Sequence, residues 1–209
     1  MPISNKKGTM ILFSDPLCPT CHCIRIIVAE KDIPVSIEYT DIHCPPKNLV
    51  KINSYQPIPI LIDRDFTLYN PKIIIEYFDE RYPHPPLMPI DPASRAQVRM
   101  MIHHIEQEWH SLLGFRPNED ISVKARNRLK SDLVILSAAL EKTSFFMSEC
   151  FSLLDATLAP LLWRLPTIGI NFSPKTKTVE KYIHRIFSRQ SFQQSLSDFE
   201  RTMRTKFTI

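Results

Sequence analysis

The sequence predicts an α/β unit followed by an all-helical unit, and three observations carry that reading. Up to about residue 82, short apolar runs of strand type alternate with runs of helical period. Beyond residue 92 every periodic stretch is helical. Between them, Asp79-Glu80-Arg81-Tyr82-Pro83-His84-Pro85-Pro86-Leu87-Met88-Pro89-Ile90-Asp91-Pro92 holds five prolines. They remove backbone donors and fix φ, so neither a helix nor a central strand continues through this seam, which should be extended and partly exposed. The chain divides into residues 1–84, a proline-rich linker over 85–92, and residues 93–209.

Thr9-Met10-Ile11-Leu12-Phe13 is a short apolar first strand. Cys18-Pro19 places an N-cap before a proline at the first helical position, and the helix runs to about Lys31 with Ile24, Ile27 and Val28 inward. Ile33-Pro34 stops it. Val35-Ser36-Ile37-Glu38-Tyr39 alternates as a second strand, parallel to the first because a helix with a right-handed crossover joins them. After a loop over Asp41 to Pro46, Leu49 to Asn53 make a short helix. Gln56-Pro57-Ile58-Pro59-Ile60-Leu61-Ile62 and Phe66-Thr67-Leu68-Tyr69 flank the polar turn Asp63-Arg64-Asp65 as a hairpin. Pro71 to Tyr82 closes the unit as a helix, with Ile73, Ile74, Tyr77 and Phe78 spaced for one face. This order of strands and helices is that of the thioredoxin-like fold.

In the second unit, Ala93 to Leu113 is helical, with Ile102, Ile105, Trp109 and Leu112 three or four apart, and Val123 to Lys142 is another helix. Phe151-Ser152-Leu153-Leu154-Asp155 has the form of a capping box, the serine bonding forward to an amide and the aspartate reaching back. The helix it opens, to Leu165, is apolar nearly all round and should be the core of this unit, with Pro166 ending it. Thr178 to Phe187 and Phe192 to Met203 are two more helices.

Composition sets the remaining bounds. A chain of 209 residues, 44% hydrophobic and 23% charged, is globular with real cores. No apolar run reaches about 18 residues, so no membrane span is expected. The start, Met1-Pro2-Ile3-Ser4-Asn5-Lys6-Lys7-Gly8, lacks the apolar core of a signal peptide, and five unevenly spread cysteines fit a reducing compartment, so the expected location is cytoplasmic. A formal charge of +4 without a basic arm does not argue for nucleic acid. Three unclustered glycines, Gly8, Gly114 and Gly169, exclude a Gly-rich phosphate loop.

With Ile58-Pro59 after a short helix and the Ser152–Asp155 box opening a buried one, the chain resembles the cytosolic glutathione S-transferase superfamily over nearly its whole length. Within it, Asp79 to Pro89 together with Leu158-Ala159-Pro160-Leu161-Leu162-Trp163-Arg164-Leu165-Pro166 is similar to the bacterial stringent starvation protein A family. That resemblance implies a transferase fold without ordinary transferase activity, and no cofactor. It implies a homodimer that associates with RNA polymerase holoenzyme bearing its primary sigma factor in stress and virulence programmes, with a further regulator as an open question. It also implies no membrane contact and no sequence-specific nucleic-acid binding by the protein alone. The family's surface determinant for transcriptional activation maps onto Pro83, His84 and Pro85, with Tyr82 beside them. Prolines lose little entropy on binding, and an aromatic ring with an imidazole offers apolar area plus a polar handle. A rigid linker is the rival reading.

The competing chemistry is at Cys18-Pro19-Thr20-Cys21, where a helix N-terminus would acidify a thiol, as in glutaredoxin, which this motif resembles. If the chain were an enzyme, Cys18 would face the thiol of glutathione, and the backbone of Ile58 before a presumed cis Pro59 would bind the tripeptide. Transferases carry a Glu-Ser pair for the γ-glutamyl end, whereas this chain has Asn70 and Pro71, which supply neither the charge nor the donor. Ile58, Pro59, Asn70 and Pro71 therefore read as a vestigial glutathione site. A thiol transferase, an incidental pair and a Cys18–Cys21 disulfide formed under oxidative stress stay open. So does a zinc-type set of Cys18, Cys21, His43 and Cys44 with Cys23 spare, although adjacent His43 and Cys44 are awkward for one ion. Cys150 reads as a small apolar filler.

His103, His104 and His110 lack the spacing of a zinc hydrolase and read as solvated or interfacial. Lys124, Arg126, Arg128, Lys130, Lys175, Lys177, Lys181, Arg185 and Arg189 are either a basic face or ordinary solvated charge. Ile73, Ile74, Met100, Met101 and Trp109 suit a subunit interface, with intrachain core as the rival for each.

Overall fold

The computed structural model describes residues 9–53, 58–110 and 122–205. Four strands, β1 (Met10–Ser14), β2 (Val35–Tyr39), β3 (Ile60–Asp63) and β4 (Phe66–Leu68), form one sheet in the order β2-β1-β3-β4. β1 and β2 are parallel with Met10 opposite Val35, as a helical crossover demands. β3 runs antiparallel to both β1 and β4. The turn between β3 and β4 puts Arg64 at positive φ. β3 is buried at every position, which its run of Ile60, Leu61 and Ile62 anticipates for a strand covered on both faces.

Around the sheet lie α1 (Pro19–Glu30), α2 (Lys47–Val50) and α3 (Pro71–Arg81). Proline occupies the first turn of both α1 and α3. In α3 only Ile74 and Phe78 of the expected apolar face are buried, and Ile73 is half exposed. The predicted lead-in at Gln56-Pro57 lies outside the described residues, as does Leu112.

The helical unit comprises α4 (Pro92–Glu108), α5 (Val123–Ala139), α6 (Leu153–Arg164), α7 (Lys177–Phe187), α8 (Gln190–Ser195) and α9 (Asp198–Thr205). Every residue of α6 is buried, so it is the axis of the unit. The capping box at its start is present, and its aspartate does more than cap. Asp155 also accepts from the amide of Phe146 at 2.9 Å and the hydroxyl of Tyr182 at 2.6 Å. α6 runs into a 3-10 turn, Leu165–Ile168, that contains Pro166 and ends at Gly169 in the left-handed conformation, φ 72°.

The expected single helix over Phe192 to Met203 is two helices. Ser197 Oγ accepts from the Glu200 amide at 3.1 Å and Glu200 Oε2 accepts from the Ser197 amide at 2.9 Å, a second capping box that starts α9 afresh. Cys150 is exposed on the turn before α6 and fills no core. One hydrophobic core runs from Met10 in β1 through α1, α3 and α6 to Leu196, so the two units share it.

Candidate functional site

The seam is shaped by what it buries at each end. Pro83, His84, Pro85 and Pro86 are exposed and Tyr82 is half-buried, whereas Leu87 and Met88 enter the core. The Leu153 amide at the start of α6 donates to the Leu87 carbonyl at 2.9 Å, docking the far end. Lys31, at the end of α1, holds the near end with a side chain fully shielded from solvent. Its Nζ donates to Asp79 Oδ1 at 2.8 Å, to the Tyr82 carbonyl at 2.7 Å and to the Pro85 carbonyl at 2.6 Å. An ammonium has three donors, and all are used on this one segment. Arg81 lies over the Tyr82 ring at 5.8 Å. The seam that five prolines predict is partly exposed as expected, but it turns instead of running extended: α3 continues to Arg81, the His84–Pro85 peptide is cis, and the carbonyls of Tyr82 and Pro85 meet the one ammonium that holds the tip from beneath.

The second group surrounds Cys18. Asp15 Oδ1 accepts from the amides of Leu17 and Cys18 at 2.7 and 2.8 Å, and Oδ2 from the amide of Ile42 at 2.8 Å, fixing the loop ahead of α1. Cys18 caps α1 without a side-chain bond to its amides of the usual serine kind. Its thiol is lowered to about 7, chiefly by the hydrogen bond from Cys21, with the amides of Cys21 and Thr20 helping against burial and the Asp15 charge. Burial pushes Cys21 well up, and pushes Cys23 up to about 12. Cys18 and Cys21 pack with Ile58, and the Ile58–Pro59 peptide is cis, as expected.

Asn70 Oδ1 accepts from the Lys72 amide at 2.9 Å as the N-cap of α3, and Pro71 offers no donor, so nothing at these two positions matches a γ-glutamyl ammonium and carboxylate. His43 and Cys44 are exposed while Cys18 and Cys21 are buried, so the zinc-type set does not assemble. Among the described residues no three His, Cys, Asp or Glu side chains are placed to hold a metal ion. Nor, among them, is any helix long and apolar enough to cross a membrane.

Residues 12–86 match the family described as glutathione S-transferase, N-terminal domain, and residues 90–190 its C-terminal domain. A stringent starvation protein A homolog of Haemophilus ducreyi is 40% identical over 197 residues, covering 92% of each chain. The chain belongs to the stringent starvation protein A family. The homolog of Coxiella burnetii is 38% identical and spans 95% of this chain and 97% of its own. A glutathione S-transferase of Rhodospirillum rubrum superposes with a TM-score of 0.80 over 90% of this chain and 92% of its own at 19% identity, a likeness of fold.

For this stringent starvation protein A family member, sequence reasoning missed a buried ionic clamp between the two units. Glu200 in α9 accepts from Arg25 Nη2 of α1 and Arg164 Nη2 of α6, each at 2.6 Å. Arg25 also reaches Ser14 Oγ at 2.6 Å and the carbonyls of Asp15 and Ser195. Burial holds His22 neutral, well below its ordinary value. Its Nε2–H then donates to Ser195 Oγ at 3.1 Å, and its Nδ1 accepts from Arg164 Nη1 at 3.3 Å. Burial opposes ionisation of Glu200, yet the charges of Arg25 and Arg164 and the Ser197 amide bring it to about 2. Arg164 was in view only as part of the family motif. The recoverable signal was Ser197-Asp198-Phe199-Glu200, a capping box in plain sequence.

Of the nine basic candidates, Lys124, Lys130, Lys175, Lys177 and Lys181 are exposed, whereas the four arginines have partners. Arg126 donates to the Ile168 carbonyl at 3.0 Å, Arg128 pairs with Glu108 and Asp132, Arg189 with Glu30, and Arg185 bonds the Ser144 carbonyl. His103 and His104 are exposed, and His110 meets the Thr157 carbonyl at 3.3 Å. Of the interface candidates, Ile74 and Trp109 are intrachain core, Met101 is partly buried, and Ile73 and Met100 are exposed at 50% and 72%.

Proposed function

We propose that this chain regulates transcription in the cytoplasm by docking on RNA polymerase holoenzyme with its primary sigma factor, through Tyr82, Pro83, His84 and Pro85, and so alters stress and virulence gene expression. The observation that carries this is the exposed proline-histidine tip held from below by the three donors of Lys31. A surface already fixed before contact loses little entropy on docking, and an aromatic with an imidazole beside prolines suits recognition. Membership of the stringent starvation protein A family supports it. No catalysis is required, and the mismatch of Asn70 and Pro71 to glutathione weighs against a transferase.

The acting form is a homodimer. Exposed Phe66, Ile73 and Met100, on β4, α3 and α4, are the apolar side chains that pairing would cover. The test is binding of purified protein to core polymerase and to sigma-loaded holoenzyme, with His84→Ala compared at matched fold and dimer state. Binding that collapses in His84→Ala is expected. Equal binding by the variant removes the seam from the mechanism, and no binding by either removes the direct polymerase contact.

A further inference from the structure

Docking at the seam makes no use of Cys18 and Cys21, and whether that pair reacts is independent of whether the seam binds polymerase. Cys18 sits at the N-cap of α1 with extended backbone, φ −67° and ψ 123°, and Cys21 lies one turn on. Cys18 and Cys21 are buried and packed together with Ile58 at the N-terminal end of α1, where the helix favours negative charge, and the neighbouring Cys21 lowers the pKa of Cys18 while its own is raised. Charge on Cys18 is therefore stabilised where it would form, while Cys21 keeps its proton. A thiolate in contact with a protonated thiol is the pairing of an attacking and a resolving sulfur.

The loop ahead of Cys18 is gripped from the helical unit. Ser197 Oγ donates to the Pro16 carbonyl at 2.7 Å, and Arg164 Nη2 donates to the Leu17 carbonyl at 2.8 Å. Both partners belong to the clamp, since Ser197 caps α9 and Arg164 holds Glu200. Cys18 is the N-cap and not part of the first helical turn, and the distance between two sulfurs in van der Waals contact shortens to about 2.05 Å when a disulfide forms. Closing the pair must therefore draw Cys18 towards Cys21, and the Leu17 carbonyl moves with it.

We propose that Cys18 and Cys21 are a peroxide-reactive dithiol that closes reversibly to an intramolecular disulfide, and that closure loosens α9 from the loop at Pro16 and Leu17. The Cys18 thiolate attacks one peroxide oxygen, the O–O bond breaks, and hydroxide leaves to take up a proton as water. Cys21 sulfur then attacks the Cys18 sulfenic acid, the S–O bond breaks, and the departing hydroxide leaves as water with the Cys21 proton. Two electrons from two thiols reduce one peroxide to two waters, and a dithiol reductant reverses the bond by exchange. Cys18 is 2% exposed and Cys21 0%, so a small peroxide, not a protein disulfide, is the oxidant that fits.

The test treats the reduced full-length protein with increasing hydrogen peroxide, alkylates it in denaturant, and maps peptides, with hydrogen exchange followed on the same samples. The expected peptide carrying Cys18 and Cys21 is lighter by two hydrogens, refuses alkylation, and recovers after dithiothreitol. Amides of α9 should then exchange several-fold faster. In Cys21→Ser, Cys18 should stop at a sulfenic acid that dimedone traps. Alkylatable Cys18 and Cys21 at peroxide levels that oxidise exposed Cys44 and Cys150 would overturn the dithiol, and this readout needs no variant to fold. A disulfide that leaves α9 exchange unchanged would overturn the coupling.

Discussion

Lys31 places its ammonium 2.6 Å from the carbonyl of Pro85, and this buried contact ties the exposed tip of the seam to the end of α1. Lys31→Met keeps the stem volume and removes all three donors. Asp79 is 14% exposed on its side chain and retains some water, so the loss should fall near the lower end for stripping a buried pair, about 3 kcal/mol. Urea unfolding measures it. The same variant should weaken holoenzyme binding although no docking residue is altered. An unchanged unfolding midpoint would show that the prolines alone hold the tip.

Glu200 is shared by two guanidiniums from different units. Glu200→Gln keeps the shape but leaves Arg25 and Arg164 buried without a counter-charge. A destabilisation of about 3–5 kcal/mol is expected, because removing one member of a buried ion group strands the others. Denaturant unfolding with coincident fluorescence and circular dichroism is the check. A loss below about 1 kcal/mol would mean the clamp is solvated in solution.

The same cluster sets an acid limit. His22 is held below 6.5 in the folded state, so between its folded value and 6.5 the unfolded chain binds a proton that the folded chain does not. Stability is therefore full above 6.5 and falls as pH drops, by up to about 1.4 kcal/mol per unit for one proton. Glu200, lowered from 4.5 to about 2, adds a second loss in the window below 4.5. His22→Gln should flatten the upper part of a plot of unfolding midpoint against pH while leaving the lower part. An identical profile in the variant would assign the upper slope elsewhere.

Local signals were legible and distant charge pairing was not. Cys18-Pro19, the turn at Asp63-Arg64-Asp65 and the Ser152–Asp155 box each act over a few residues, and each is where sequence placed it. The break before α9 was hidden because Phe192, Leu196, Phe199 and Met203 keep helical spacing across it, while the Ser197–Glu200 box that makes the break is polar. No local pattern pairs Arg25 with Glu200, and Arg164 enters only with the family motif, since only folding brings α1, α6 and α9 together. Ile73 has the right period but lies at the rim of its face, so pattern alone overstated its burial. Tyr82 to Pro85 was picked out through a family resemblance, whereas the Lys31 anchor beneath it is a tertiary contact that neither pattern nor motif contains.

Asp155 shows how one legible residue carries more than its motif. As a cap alone, its partner Ser152 would be worth about 1 kcal/mol on truncation to alanine. Yet the Asp155 carboxylate also takes the Phe146 amide and the Tyr182 hydroxyl in a buried setting that raises its pKa. Asp155→Ala leaves those two donors without an acceptor and should cost about 3–5 kcal/mol, against about 1–2 kcal/mol for Tyr182→Phe, which leaves the carboxylate its other donors. The double variant should cost less than the sum, because the Tyr182 hydroxyl has no role once the carboxylate is gone. Were Asp155→Ala no worse than Ser152→Ala, the residue would be a helix cap and nothing more, and α7 would be held to α6 by apolar packing alone.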